Sequence, residues 1–299
     1  GTSSDASDKA TSATERTAQQ APQAASDPPL IPRRMFFDNP TRFRGRISPS
    51  GEKVSFLAPV GGVQNIWVGP AGNIDAAKPI TRDTSRGIHF YQWSASDEYL
   101  LYLRDVGGDE NDHVHAINLA TGVVRDLTPD AGARAEIYGT SWTRPGHVVL
   151  GINNRTPEYF DVYRVSLASG ERELLFRNDG FASFVVDEDL EVRAAVKPTE
   201  DGGGEVYRVD RDGDGKVALT KILSIPAADF LSTSIIGMTP DNKGIHLLTA
   251  LNRDKAALMA MSLADGAMTP IAEDGRADVD AVLLEPQTRE VLAFAASFT

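Results

Sequence analysis

Residues 93–127 read WSASDEYLLYLRDVGGDENDHVHAINLATGVVRDL, and the fold follows from the order of elements in this stretch. An apolar Trp93 precedes a small polar turn, Ser94-Ala95-Ser96-Asp97. A strand pattern, Tyr99-Leu100-Leu101-Tyr102-Leu103, comes next. A polar connection leads to a second strand pattern, His113-Val114-His115-Ala116-Ile117. Ala120-Thr121-Gly122 then supplies a hairpin turn, where glycine permits the positive φ such turns require. Val123 to Leu127 closes the unit. The order strand, turn, strand, Gly turn, strand describes an antiparallel meander.

The same unit recurs along the chain. Its opening signature is Ile47-Ser48-Pro49-Ser50-Gly51, then Trp93, then Trp142-Thr143-Arg144-Pro145-Gly146, Val186-Asp187-Glu188-Asp189, Met238-Thr239-Pro240-Asp241-Asn242 and Leu284-Glu285-Pro286-Gln287, at spacings of 46, 49, 44, 52 and 46 residues. A β-sandwich of short strands would not re-create one turn at a near-constant interval. Units of this length match four-stranded propeller blades. The sequence therefore predicts an all-β propeller with five complete blades over 30–299 and a sixth that stops after two strands. A ring protects its edge strands only when closed, so the natural polypeptide is expected to continue past Thr299.

Residues 1–29 contain no Leu, Ile, Val or aromatic residue. Such a segment cannot bury enough apolar area to offset its ordering entropy and is expected to be a disordered tail or spacer. Spacers of this Ala/Ser/Thr/Gln type are common at the mature N-termini of exported bacterial proteins, lipid-anchored ones included. A periplasmic or otherwise exported protein is expected, its leader removed before Gly1; the cytoplasm is the alternative. A net charge of −12 disfavours nucleic acid, and no apolar run is long enough for a membrane span. The absence of Cys excludes disulfides, Cys-ligated zinc and a Cys nucleophile.

Gly108-Asp109-Glu110-Asn111, His113 to Leu119, Thr121-Gly122 and Arg125-Asp126-Leu127-Thr128-Pro129 together resemble the second-blade region of prolyl-oligopeptidase-family serine peptidases, in their acylaminoacyl-peptidase and dipeptidyl-aminopeptidase-like branch. Asn153-Asn154-Arg155 with Tyr159 to Val165 is similar to their third blade. The resemblance covers about residues 35–299. It implies a propeller that gates access of peptides to a C-terminal α/β-hydrolase domain, the expected partner in the same polypeptide. That domain would carry the Ser-Asp-His triad, and this chain stops before it. Free-standing propellers that bind proteins, and propeller enzymes with a site on the central channel, such as lactonases or glycosidases, remain as other classes.

The chain's own residues offer no catalytic set, and neither cofactor nor metal is expected. No Gly-x-Ser-x-Gly elbow occurs. The nearest run, Gly139-Thr140-Ser141-Trp142-Thr143, lacks the second Gly, and Ser141 reads as the start of a strand. His113 and His115 share one strand face at a spacing two metal ligands could use, but a third ligand is missing. Asp210, Asp212, Asp214 and Gly215 open like an EF-hand loop, yet Lys221 stands where a bidentate Glu belongs. A polar hairpin is expected there, with a weak irregular calcium site as the alternative. Asp105, Asp109, Glu110 and Asp112 form either a solvated turn or a patch facing a partner domain or a peptide amino group. Trp93 and Trp142 occupy the same repeat position, which predicts packing between blades for both; Trp67 is the third tryptophan.

Overall fold

The computed structural model describes residues 30–37 and 40–298, and the tail expected over 1–29 lies outside them. From Pro40 onward the chain forms one unit built from five four-stranded antiparallel sheets and one two-stranded sheet. Blade 1 runs Phe43–Ile47, Lys53–Val60, Val63–Pro70 and Lys78–Pro79. Blade 2 runs Tyr91–Trp93, Tyr99–Arg104, His113–Asn118 and Val124–Asp126. Blade 3 runs Ala135–Thr140, His147–Thr156, Tyr159–Ser166 and Arg172–Phe176. Blade 4 runs Ser183–Val186, Val192–Pro198, Gly204–Arg211 and Val217–Ile225. Blade 5 runs Ser234–Met238, Gly244–Thr249, Ala257–Ser262 and Met268–Ala272. The sixth sheet pairs Val279–Leu284 with Val291–Ala296. Among the described residues, helix is limited to single turns at Arg34–Phe37 and Ala227–Phe230 and a 3₁₀ turn at Ile74–Ala76.

The sheets stack because successive residues on each second strand point to opposite sides. Leu100 joins a cluster with Leu57 and Ile66 of blade 1, whereas Leu101 joins one with Val148 and Leu150 of blade 3. Val149 turns the other way, to Leu190 and Val192 of blade 4. Ala195 packs in that same layer, and Ala194 faces Ile245 and Leu247 of blade 5. The core is thus a series of four layers, each made by two neighbouring blades. No residue of the sixth sheet belongs to any of the four; Leu283, Leu292 and Phe294 of that sheet are exposed.

A side-chain oxygen caps the turn after every inner strand. Ser48 Oγ accepts from the Lys53 amide and Ser94 Oγ from Ser96. Ser141 Oγ accepts from Thr143 and Arg144, and Asp187 Oδ1 from Asp189 and Glu191. Thr239 Oγ1 accepts from Gly244, and Glu285 Oε2 from Gln287. Short polar side chains satisfy local amides this way better than ladder bonds can.

These caps correct the register expected for the third repeat. The inner strand ends at Thr140, so Thr140 is the equivalent of Trp93, and Ser141 closes a strand rather than opening one. Cap positions 48, 94, 141, 187, 239 and 285 recur at 46, 47, 46, 52 and 46 residues. Trp93 is buried between blades 1 and 2 and donates through Nε1 to Ser55 Oγ at 3.0 Å. Trp142 sits in the turn, two positions along, and does not share that role.

His246, on the second strand of blade 5, is buried, and its Nδ1 has no hydrogen-bond partner. Burial holds its pKa below the usual imidazole value, with Asp241 opposing weakly. Protonation therefore favours the unfolded chain, whose histidines titrate near about 6.5. The stabilisation is complete above that pH and is lost as pH falls below it. The melting temperature is expected to drop between pH 7.5 and 5.5, and His246→Phe should flatten this dependence. An unchanged slope in the variant would show that His246 does not contribute.

Candidate functional site: the central channel

Inner strands of blades 3 to 5 and the turn of the sixth sheet border a half-open cavity of about 720 Å³. Its apolar wall residues include Tyr138, Phe184, Ile235 and Ile236 from the inner strands, and Phe230 and Leu231 from the crossover after blade 4, beside a polar share from Thr140, Asp187 and Glu188. Tyr138 packs against Phe184 with ring centroids 5.6 Å apart, and burial pushes the Tyr138 hydroxyl well above its ordinary pKa. Tyr138 is thus a neutral wall residue at any physiological pH.

At the end of the channel formed by the capped turns lies a second space of about 530 Å³, bordered by Arg46, Gln92 and Trp93. Thr140, Glu188 and Pro286 line both spaces and stand between them. Glu188 Oε1 meets Arg289 Nη2 at 2.7 Å, with both side chains largely buried. Its other oxygen accepts the Trp142 amide at 2.9 Å. The Trp142 indole donates through Nε1 to the Pro286 carbonyl, also at 2.9 Å. Arg289 additionally donates to Asn242 Oδ1. Four turns, from blades 3, 4, 5 and 6, therefore meet over the channel. Asp187, beside Glu188, is buried and its pKa is raised by that burial despite amide donors from Glu191 and Asp189 and the charge of Arg193.

The residues singled out in the sequence are not brought together. Ser141 is fully buried, and its hydroxyl lies 2.5 Å from the Glu188 carbonyl and 3.0 Å from Thr143 Oγ1; no imidazole is among its partners. His113 and His115 do share a face, with rings 6.5 Å apart, but each is engaged locally. His113 Nδ1 is 2.8 Å from Asp126 Oδ2, and His115 stacks on Tyr102, its pKa lowered by burial. Asp210 lies near the end of the strand Gly204–Arg211, and Asp212 and Asp214 occupy the turn between it and Val217–Ile225. Asp212 caps the amides of Asp214 and Lys216, Asp210 pairs with Arg208, and Lys221 pairs with Glu205.

The loop of Asp105 to Asp112 joins two strands of blade 2 at the opposite end from the capped turns. Asp109 caps it by accepting from Asn111 and Val106, while Asp105 lies 3.5 Å from Arg86 and Asp112 lies 3.5 Å from His89. With Glu110 and Arg134 they line a polar cavity of about 450 Å³. Trp67 donates to the Ala58 carbonyl and stacks on Phe56. The sequence reading missed Glu188 and Arg289. Glu188 stood in a quoted repeat turn without a chemical signal, and nothing marked Arg289. No helix among the described residues is long and apolar enough to cross a membrane.

No family model matches the chain. It is 41% identical over 287 residues to dipeptidyl aminopeptidase BIII of Pseudoxanthomonas mexicana, an alignment covering 95% of this chain and 41% of that protein. The chain is similar to the propeller regions of prolyl-oligopeptidase-family peptidases. Dipeptidyl peptidase family member 6 of Caenorhabditis elegans is 25% identical over 278 residues, 88% of this chain and 37% of its own length. The chain thus spans about two fifths of these relatives. Among solved structures, the β-propeller domain of the Trilobed protease from Pyrococcus furiosus, described as having an open velcro topology, superposes with a TM-score of 0.54. It is 18% identical and covers 85% of this chain and 79% of that one, a likeness of fold.

Proposed function

We propose that the chain is the substrate-gating propeller of a serine-type oligopeptidase or aminopeptidase, inert by itself and paired with an α/β-hydrolase domain in the same polypeptide. The carrying observation is the 41% identity to dipeptidyl aminopeptidase BIII, of which this chain matches only 41%. The site geometry is consistent with gating. The channel wall mixes apolar side chains with Thr140, Ser183, Asp187 and Glu188, and no histidine lines it. A cavity of about 720 Å³ accommodates a short extended peptide and excludes a folded domain. Residues 1–29 act in this reading as a tether, and export from the cytoplasm fits a protein that processes peptides outside it.

Purified chain is expected to give no turnover of chromogenic dipeptide substrates or peptide esters. The coding sequence past residue 299 is expected to encode a Gly-x-Ser-x-Gly elbow. Turnover retained through purification would refute inertness, and a stop codon directly after Thr299 would refute the paired hydrolase and favour a free-standing binding module.

A further inference from the structure

The contacts around Trp142 join parts of the ring that are not neighbours. Ser50 and Asp97 link blades 1 and 2, and Arg164 and Glu191 link blades 3 and 4. These are contacts between adjacent blades, across 47 and 27 residues respectively. The Trp142–Pro286 hydrogen bond spans 144 residues, from blade 3 to the sixth sheet. The Glu188–Arg289 pair reaches past blade 5, while a second donor of Arg289 also holds Asn242 in the turn of that blade. Both partners on the far side, Pro286 and Arg289, lie in the single turn that connects Val279–Leu284 to Val291–Ala296. That turn belongs to the sheet absent from the four apolar layers.

We propose that this turn is a clasp across the channel, closed by Trp142–Pro286 and Glu188–Arg289, and that its release connects the two spaces it now separates. The inference rests on the channel being the peptide route, and it assigns regulation of that route to four residues. Trp142 holds the carbonyl by one hydrogen bond. The ion pair is largely shielded from water, so it resists salt better than an exposed pair. Glu188 couples the two contacts, because one of its oxygens takes Arg289 and the other takes the Trp142 amide. Loss of the ion pair leaves the turn held only by the Trp142 indole and, through Arg289, by Asn242, and so loosens the indole's hold. Closed, the clasp leaves the cavity reachable at its other end; open, it creates a through-passage.

The test uses residues 1–299. Its tryptophans are Trp67, Trp93 and Trp142, so its indole N–H region in ¹⁵N-labelled NMR should hold three signals, and Trp142→Phe assigns one of them. Arg289→Ala and the milder Glu188→Gln are expected to shift the Trp142 signal and speed its solvent exchange, leaving Trp67 and Trp93 unmoved. The chain has no native Cys, so Ile236→Cys places a single thiol in the channel wall. Its labelling by a bulky maleimide should rise several-fold on adding Arg289→Ala or Trp142→Ala, while labelling by methyl methanethiosulfonate changes little. An unmoved Trp142 signal in both Glu188→Gln and Arg289→Ala, or an unchanged ratio of the two labelling rates, overturns the clasp. Neither readout depends on peptidase activity, so the clasp and the peptidase reading fail separately.

Discussion

Trp93→Ala is expected to destabilise the chain by about 3–5 kcal/mol, and Trp142→Ala by under about 1 kcal/mol. Trp93 is buried in the layer between blades 1 and 2, where its ring packs with Leu57, Tyr91 and Leu100. Its removal leaves a cavity that neighbouring strands cannot close and strips Ser55 Oγ of its indole donor. Trp142 is half-buried over the channel and contributes one hydrogen bond to a carbonyl. Chemical denaturation checks this through the midpoint of each variant at constant slope. Equal losses would restore the register in which both tryptophans occupy one repeat position.

The second large effect follows from the alternating layers. Leu101→Ala and Leu150→Ala are each expected to cost about 2–5 kcal/mol, since both side chains are fully buried. They share the layer between blades 2 and 3, so their double variant should depart from additivity by about 0.5 kcal/mol or more. Leu100 lies one residue away in sequence but in the neighbouring layer. Leu100→Ala combined with Leu150→Ala should add within about 0.5 kcal/mol. Equal coupling for the two pairs would mean the layers are not separate units.

Much of the architecture is readable in one dimension because a blade is a local object. Tyr99 to Leu103 alternates faces, His113 to Ile117 pairs with it across a single loop, and Gly122 at φ +71° makes the following turn. Each of these depends on residues close in sequence. The register of blade 3 is harder. A conspicuous Trp142 draws the alignment two residues from where the hydroxyl of Ser141 fixes it, and the capping role of that hydroxyl emerges only with the amides of Thr143 and Arg144 placed around it. The channel is harder still. Glu188 and Arg289 meet only once the intervening blade has curved the chain back on itself. No local pattern encodes that meeting.

The four apolar layers also determine how the domain answers a load. Blades 1 to 5 are glued face to face in sequence, so a push on any one is passed to the next, and that stretch behaves as a stiff arc. The sixth sheet has no such glue. It is tied to blade 5 by hydrogen bonds from the Val279 amide to the Ala256 carbonyl, from the Ala256 amide to Asp278 and from Arg289 to Asn242, and by the burial of Ala277 and Val279. Compliance therefore collects where the sixth sheet meets the arc, and its turn is held there by polar contacts of Pro286 and Arg289 in place of an apolar layer.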